Sequence, residues 1–143
     1  ACVRAARHAR LGLGGVDTLV AAGLAAAGDD ATRAECRLAL AAEGIRRGTM
    51  GPAAQQLAAV DTIAARTGDA VTAARSRAWR AALNLWLGHL DAAQFYAGQA
   101  LATAERAGAV GVSAMAHVTL AEWARRTGDR DRAERATAVA AAL

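Results

Sequence analysis

Glycine recurs at every twentieth position over most of this chain. The members of the series are Gly28, Gly48, Gly68, Gly88, Gly108 and Gly128. The segments between them consist mainly of Ala, Leu and Arg, which favour helix, whereas Gly is the residue that most often follows a helix in the left-handed conformation. Each interval is therefore predicted to be one helix with its turn, and two intervals form a helical hairpin. A fixed period of this size is typical of α-solenoids.

The intervals predict eight helices, which cover about 2–11, 15–27, 31–47, 52–67, 70–87, 91–107, 111–127 and 130–142. Acidic residues that can cap free N–H groups stand at four of the predicted starts. They are Asp30, Asp69, Asp91 and Asp129. The one proline, Pro52, falls in the first turn of a helix, where a missing N–H group costs nothing.

When the sequence is aligned with itself at an offset of 40 residues, glycines coincide with glycines and alanines with alanines. Two sets of alanines coincide at this offset, Ala41, Ala81 and Ala121, and Ala53, Ala93 and Ala133. We expect them to face each other where the two helices of a hairpin approach closely. In this register Gly48, Gly88 and Gly128 close hairpins, and the other glycines of the series join one hairpin to the next.

The segment HVTLAEWARRTGDRDRAERATAVA (117–140) places Leu120, Ala121, Gly128, Ala133 and Ala140 at the small-residue and turn positions of the tetratricopeptide repeat. Segment 78–101 follows the same pattern, and 31–67 follows it more loosely. The chain thus resembles this family from about residue 31 to 143. The resemblance implies an all-α fold, a right-handed α-solenoid of about four antiparallel hairpins. The whole of 1–143 is then one repeat domain, with 1–28 as a degenerate or truncated first repeat.

The period of 40 is longer than that of the family, and the family's aromatic packing pair and closing proline are missing. In these two respects the chain resembles the longer, looser repeats in the sensor regions of large bacterial LuxR-type and STAND ATPase transcription regulators. Such a parent would place this chain in the bacterial cytoplasm as one part of a longer protein. The first residue, an alanine inside a predicted helix, favours the same interpretation.

The charge pattern limits the classes of partner that this chain can bind, and the cysteine content indicates its redox environment. The net charge is +4 and every basic residue is arginine, but the arginines are mostly interleaved with acids and no nucleic-acid-binding motif occurs. We therefore expect no nucleic acid partner. The two cysteines, Cys2 and Cys36, define no disulfide framework and are predicted to be free, buried side chains in a reducing compartment. No signal peptide or membrane-spanning run is evident.

The chain contains none of the usual catalytic, phosphate-binding or metal-binding motifs. We therefore expect a protein that is not an enzyme and that has no cofactor and no metal site. The histidines are separated in the repeat register, and a surface role is expected for them. Binding remains the favoured function.

In the tetratricopeptide register, one face of each first helix lines a concave groove, where we expect the binding residues. The candidates are Arg46, Arg75, Trp86, Glu122 and Arg126. The same stripe includes Leu38, Ile45, Ala78, Leu85 and Val118. A Trp flanked by arginines suits a peptide carboxylate or a flat polar ligand. The alternative for Trp86 is that it fills a gap between alanine-rich helices.

The sequence therefore predicts a protein-interaction or sensor module of a regulatory protein, which binds a peptide segment or partner domain in the groove. The alternative is a small-molecule effector domain that biases a linked transcription regulator. A homodimer through the ends of the solenoid is a further hypothesis. Phe95 and Tyr96 coincide with Gln55 and Gln56 at the 40-residue offset, so one of the two aromatics is expected to be exposed.

Overall fold

The structure, a computed structural model, describes residues 15–143. The predicted helix 2–11 and Cys2 lie outside the described residues. The described part holds seven α-helices and no strand, which confirms the all-α class. The helices are α1 (Val16–Ala26), α2 (Asp30–Arg47), α3 (Met50–Thr67), α4 (Ala70–Leu87), α5 (Leu90–Ala107), α6 (Val110–Thr127) and α7 (Arg130–Ala142). Each begins and ends within two residues of its predicted bounds.

Five of the six periodic glycines end helices in the predicted left-handed conformation. They are Gly48, Gly68, Gly88, Gly108 and Gly128, with φ between 65° and 83°. The prediction is wrong for Gly28, whose φ is not positive. Helix α1 ends instead at Ala27, which is extended (φ −71°, ψ 106°) and donates its N–H to the Leu24 carbonyl. A helix whose chain continues in an extended conformation needs no left-handed residue at its end.

The helix starts agree in part with the predicted caps. Asp129 accepts a hydrogen bond from the Arg132 N–H at 3.0 Å, as expected. At α2 the capping residue is Asp29, which accepts from the Thr32 N–H at 2.7 Å. Asp30 lies inside the helix, where its carboxylate pairs with Arg66. Asp91 likewise lies within the first turn of α5 and does not cap it.

The chain divides into two compact units, Ala1–Asp69 and Ala70–Leu143. In the first unit, α2 packs against both α1 and α3. In the second, α4–α5 and α6–α7 form antiparallel hairpins, and α6 also packs against both helices of the preceding hairpin. Within the described residues, α5 and α7 make no contact with each other. Consecutive packing of this kind is the arrangement that the 40-residue register requires.

The interior is built from small side chains. In the second unit, one buried cluster joins α4, α5 and α6, and five of its six members are alanine. They are Ala74, Ala78, Ala100, Ala104, Val112 and Ala116. The alanines that coincide at the 40-residue offset are all buried too. Because each alanine buries little area, the helices gain stability by approaching closely rather than by interlocking large side chains.

Cys36 corrects one expectation from the sequence. It is fully buried against Val16 and Val20 of α1, but it is disulfide-bonded rather than a free thiol. Two cysteines form no recognisable framework, so the sequence carried no signal for this bond. None of the described helices has both the length and the apolar character needed to cross a membrane.

Two glycines inside helices give a matched test of close packing. A Cβ at Gly44 would lie 3.0 Å from the Ala53 Cβ and 3.3 Å from the Thr49 carbonyl oxygen, whereas one at Gly98 would meet nothing within 4 Å. Alanine is favoured over glycine in a helix by about 0.8–1 kcal/mol. We expect Gly98→Ala to raise the free energy of unfolding by about that amount.

We expect Gly44→Ala to lower the free energy of unfolding by about 1 kcal/mol, because the rigid Ala53 methyl group cannot move aside and the helices must separate. Urea denaturation followed by circular dichroism measures both variants. Stabilisation of equal size at the two positions would show that α2 and α3 do not pack as closely as described.

Candidate functional site

Trp86 lies in the last turn of α4 and is 67% exposed, the largest exposed fraction among the large apolar side chains described. Leu83, one turn earlier in α4, and Leu85, which immediately precedes Trp86, are both buried. The helix ends at Gly88, where the His89 N–H donates to the Asn84 carbonyl at 2.9 Å. Trp86 therefore stands on a well-closed helix end, with its ring in solvent rather than in the gap that the alternative interpretation required.

Arg126, in the last turn of α6, reaches across to the same end of α4. Its Nη1 donates to the Leu85 carbonyl oxygen at 2.6 Å, and its Nε donates to Glu122 at 3.0 Å. Both bonds fix the guanidinium plane beside the residue that immediately precedes Trp86. The side chain remains 39% exposed. The structure thus joins Glu122 and Arg126 to the end of α4, at the residue before Trp86.

The Glu122 carboxylate accepts hydrogen bonds from two arginines, Arg125 and Arg126, each at 3.0 Å. Hydrogen bonds from Arg126 and then from Arg125 hold the pKa of Glu122 below its ordinary value. The three side chains carry a net charge of +1. One turn earlier on α6, Val118 is 57% exposed and adds an apolar contact to this surface. We call Trp86, Val118, Glu122 and Arg126 the tryptophan surface.

Several residues of the predicted groove lie in the core instead. Leu38, Ile45, Ala78 and Leu85 are buried, so they cannot line an open groove. The periodicity located their helices correctly but could not tell which of two adjacent stripes faces the neighbouring helix. Arg75 is half-buried on α4.

Arg46 is exposed in the first unit, but its guanidinium is directed at Glu43 through two hydrogen bonds of 2.6 and 2.8 Å. Arg47 binds the same carboxylate at 2.6 Å and also binds Asp17 of α1 at 2.8 Å. Glu43 is only 2% exposed. Hydrogen bonding from Arg46, reinforced by the charges of both arginines, keeps the pKa of Glu43 below its usual value.

Sequence reasoning missed Glu43, although its spacing to Arg46 and Arg47 is the i, i+3 and i, i+4 pattern of helical ion pairs. A cavity of about 120 Å³ lies beside this carboxylate, between α1, α2 and α3. Its lining residues are Asp17, Leu40, Glu43, Gly44, Arg47, Thr49, Pro52 and Gln56. No run of the sequence predicts a cavity that three helices form together.

Phe95 is 58% exposed on α5 and meets Tyr96 edge to face, with ring centroids 5.4 Å apart. One of the two aromatics is thus exposed, as expected. Among residues 15–143, no three His, Cys, Asp or Glu side chains gather where a metal ion could bind.

The fold and the site define an all-α helical-hairpin protein with an exposed tryptophan at a helix end that an arginine of another helix contacts. Comparison with protein-family models, with curated proteins and with solved structures gives no match. Any function for this chain must therefore be argued from its own residues.

Proposed function

We propose that this chain is a non-catalytic interaction module that binds a peptide segment or partner domain at the tryptophan surface. The observation that carries the proposal is the exposed Trp86 ring one residue from the Leu85 carbonyl, to which the Arg126 guanidinium, also bound by Glu122, is fixed. In the fuller form of the proposal, the hairpins stack into a right-handed tetratricopeptide-like solenoid within a cytoplasmic bacterial regulator of transcription.

Trp and Arg are the residues that most often dominate binding energy at protein interfaces. An exposed indole supplies a large, rigid contact area, and a guanidinium fixed in place loses little conformational entropy when a ligand binds. The Nη2 side of Arg126 makes no hydrogen bond to another described residue. A peptide carboxylate fits that edge, because the cluster of Glu122, Arg125 and Arg126 has a net charge of +1.

The mechanism would be mechanical. Trp86 and Arg126 belong to helices of consecutive hairpins, α4 and α6, so a ligand that contacts both bridges the two hairpins. Such a ligand favours one relative orientation of the hairpins. That bias passes to an attached domain as a shift in population between two states.

Selection from a displayed library of peptides with free carboxyl ends tests the proposal. Peptides are selected on the wild-type protein and counter-selected on the Trp86→Ala/Arg126→Ala variant. We expect Trp86→Ala to weaken binding of the selected peptides at least tenfold by fluorescence anisotropy, the cost of losing about 1.4 kcal/mol or more. Circular dichroism checks that the variant stays folded.

Phe95→Ala is the matched control, since Phe95 is an aromatic of similar exposure on another helix, and it should leave the affinity unchanged. Peptides that bind the double variant as tightly as the wild type would refute the proposal. The alternative function, a small-molecule effector domain, instead predicts a rise in Tm with a metabolite and no enrichment of peptides.

A further inference from the structure

Two hairpins of this chain occupy corresponding positions in the repeat. Helices α2 and α6 begin at Asp30 and Val110, and α3 and α7 begin at Met50 and Arg130, so both pairs are offset by 80 residues. Each residue of the hairpin α2–α3 therefore has a counterpart 80 positions later in α6–α7. The two hairpins fill corresponding interior space with different side chains.

In α6–α7 an aromatic ring stands at the corresponding position. The partly buried Trp123 ring of α6 meets α7, where the Arg132 guanidinium lies 4.7 Å from the ring centroid. The indole Nε1 is buried and has no hydrogen-bond partner among the described residues. The ring is therefore held by apolar and cation–π contact, and its polar atom is unsatisfied.

In α2–α3 the counterparts of Trp123 and Arg132 are Glu43 and Pro52, and both line the cavity of about 120 Å³. Glu43 does not fill the space, because Arg46 and Arg47 hold its carboxylate. The cavity is somewhat smaller than one of about 150 Å³ that holds benzene. Its size therefore suits a single five- or six-membered ring rather than a bicyclic one.

The charges at the wall are paired. Of the lining residues, Arg47 binds both carboxylates, Glu43 at 2.6 Å and Asp17 at 2.8 Å, and Arg46, which lies outside the lining, binds Glu43 at 2.6 Å. An ion entering the cavity would have to compete with one of these partners. A neutral ligand avoids that cost, since buried charges are stable only when paired.

At one position the wall offers a hydrogen-bonding side chain where the other hairpin has none. The counterpart of Ala136 is Gln56, whose amide oxygen accepts from Arg37 at 3.0 Å and keeps a second lone pair. Thr49 contributes a hydroxyl group to the same wall. A ring N–H that is unsatisfied in Trp123 would find an acceptor here.

We propose that the cavity between α1, α2 and α3 is a binding site for a small, neutral, planar heterocycle that carries a ring N–H. Leu40 and Pro52 provide apolar contacts, and Gln56 and Thr49 provide the polar edge. This inference does not depend on the tryptophan surface, which lies in the other unit.

Pyrazole is the probe, because it is a neutral five-membered ring with one N–H group. Its matched control is 1-methylpyrazole, which lacks that group. Titrations followed by ¹H–¹⁵N correlation spectra should show saturable shifts at the amides of Gly44 and Thr49 and at the side-chain amide of Gln56. We expect pyrazole to bind at least tenfold more tightly than 1-methylpyrazole, and acetate and methylammonium to cause no saturable shift.

Two variants complete the test. Gln56→Leu keeps the volume of the wall but removes the amide, so pyrazole should bind it no more tightly than 1-methylpyrazole does. Glu43→Trp/Pro52→Arg reproduces the filling seen in α6–α7 and should abolish binding of both probes. Equal affinity for the two pyrazoles, stronger binding of either ion, or no saturable binding of pyrazole to the folded wild type would overturn the proposal.

Discussion

Ala100→Leu is expected to lower the free energy of unfolding by about 3 kcal/mol. Ala100 is fully buried on α5 in the cluster that joins α4, α5 and α6. Its neighbours in that cluster are almost all alanines, which have no rotamers through which they could make room for a larger side chain. The three added carbon atoms must therefore push helices apart, and overpacking of this kind costs about 1–3 kcal/mol, or more where the surroundings are rigid.

Ala102→Leu is the matched control, because Ala102 lies two residues further along the same helix and is exposed. It should change the free energy of unfolding by less than about 0.5 kcal/mol. Chemical denaturation of both variants provides the comparison. Equal tolerance of leucine at the two positions would mean that the alanine-rich core is not close-packed.

Arg46→Ala/Arg47→Ala should destabilise the first unit by leaving the Glu43 carboxylate buried without a partner. Removing the partner of a buried charge costs about 3–5 kcal/mol in a dry interior. The adjoining cavity admits water, so we expect a smaller loss of about 2 kcal/mol at neutral pH. Adding Glu43→Leu to the double variant should recover much of that loss, because no charge is then stranded.

The dependence on pH provides an independent check. In the wild-type protein the pKa of Glu43 is lowered by the arginines, so its contribution to stability is present above the unfolded-state pKa and is lost as pH falls through the folded-state value. In the double variant, burial without a partner should raise that pKa instead. The variant should then lose stability as pH rises past the unfolded-state pKa, and its deficit should shrink in acid. A deficit that does not change with pH would contradict this explanation.

Arg125→Ala/Arg126→Ala is the matched control, since these arginines have the same spacing from Glu122 as Arg46 and Arg47 have from Glu43. Glu122 is 37% exposed, so water can solvate its carboxylate when the arginines are removed. The exposed ion pairs should account for less than about 1 kcal/mol of the loss. Loss of the bond from Arg126 to the Leu85 carbonyl adds about 1 kcal/mol, and neither part should depend on pH as the Glu43 deficit does.

The number, bounds and turns of the described helices could be predicted because they depend on local chemistry. Helix propensity and the left-handed preference of glycine act over a few residues, and both are visible in the 20-residue period. Where the local signal was ambiguous, the prediction failed: Gly28 has ordinary φ, and the cap of α2 is Asp29 rather than Asp30. Adjacent residues with the same chemistry cannot be distinguished from the sequence.

The candidate site was harder to predict because it depends on the direction of side chains. The repeat register made Trp86 and Arg126 candidates, but it could not predict the bond from Arg126 to the Leu85 carbonyl, since every residue has a carbonyl group. It also missed the burial of Glu43, which depends on the approach of three helices. Its charge spacing to Arg46 and Arg47 is the same as that of an ordinary surface pair.

The central claim is that a ligand is bound at the tryptophan surface, and the indole resonances test it most directly. The sequence has three tryptophans, so the ¹H–¹⁵N spectrum should show three indole peaks. When a selected peptide is added to saturation, we predict that the peak of Trp86 shifts while that of the packed Trp123 stays in place. A Trp86 peak that is unchanged at saturation would contradict the account.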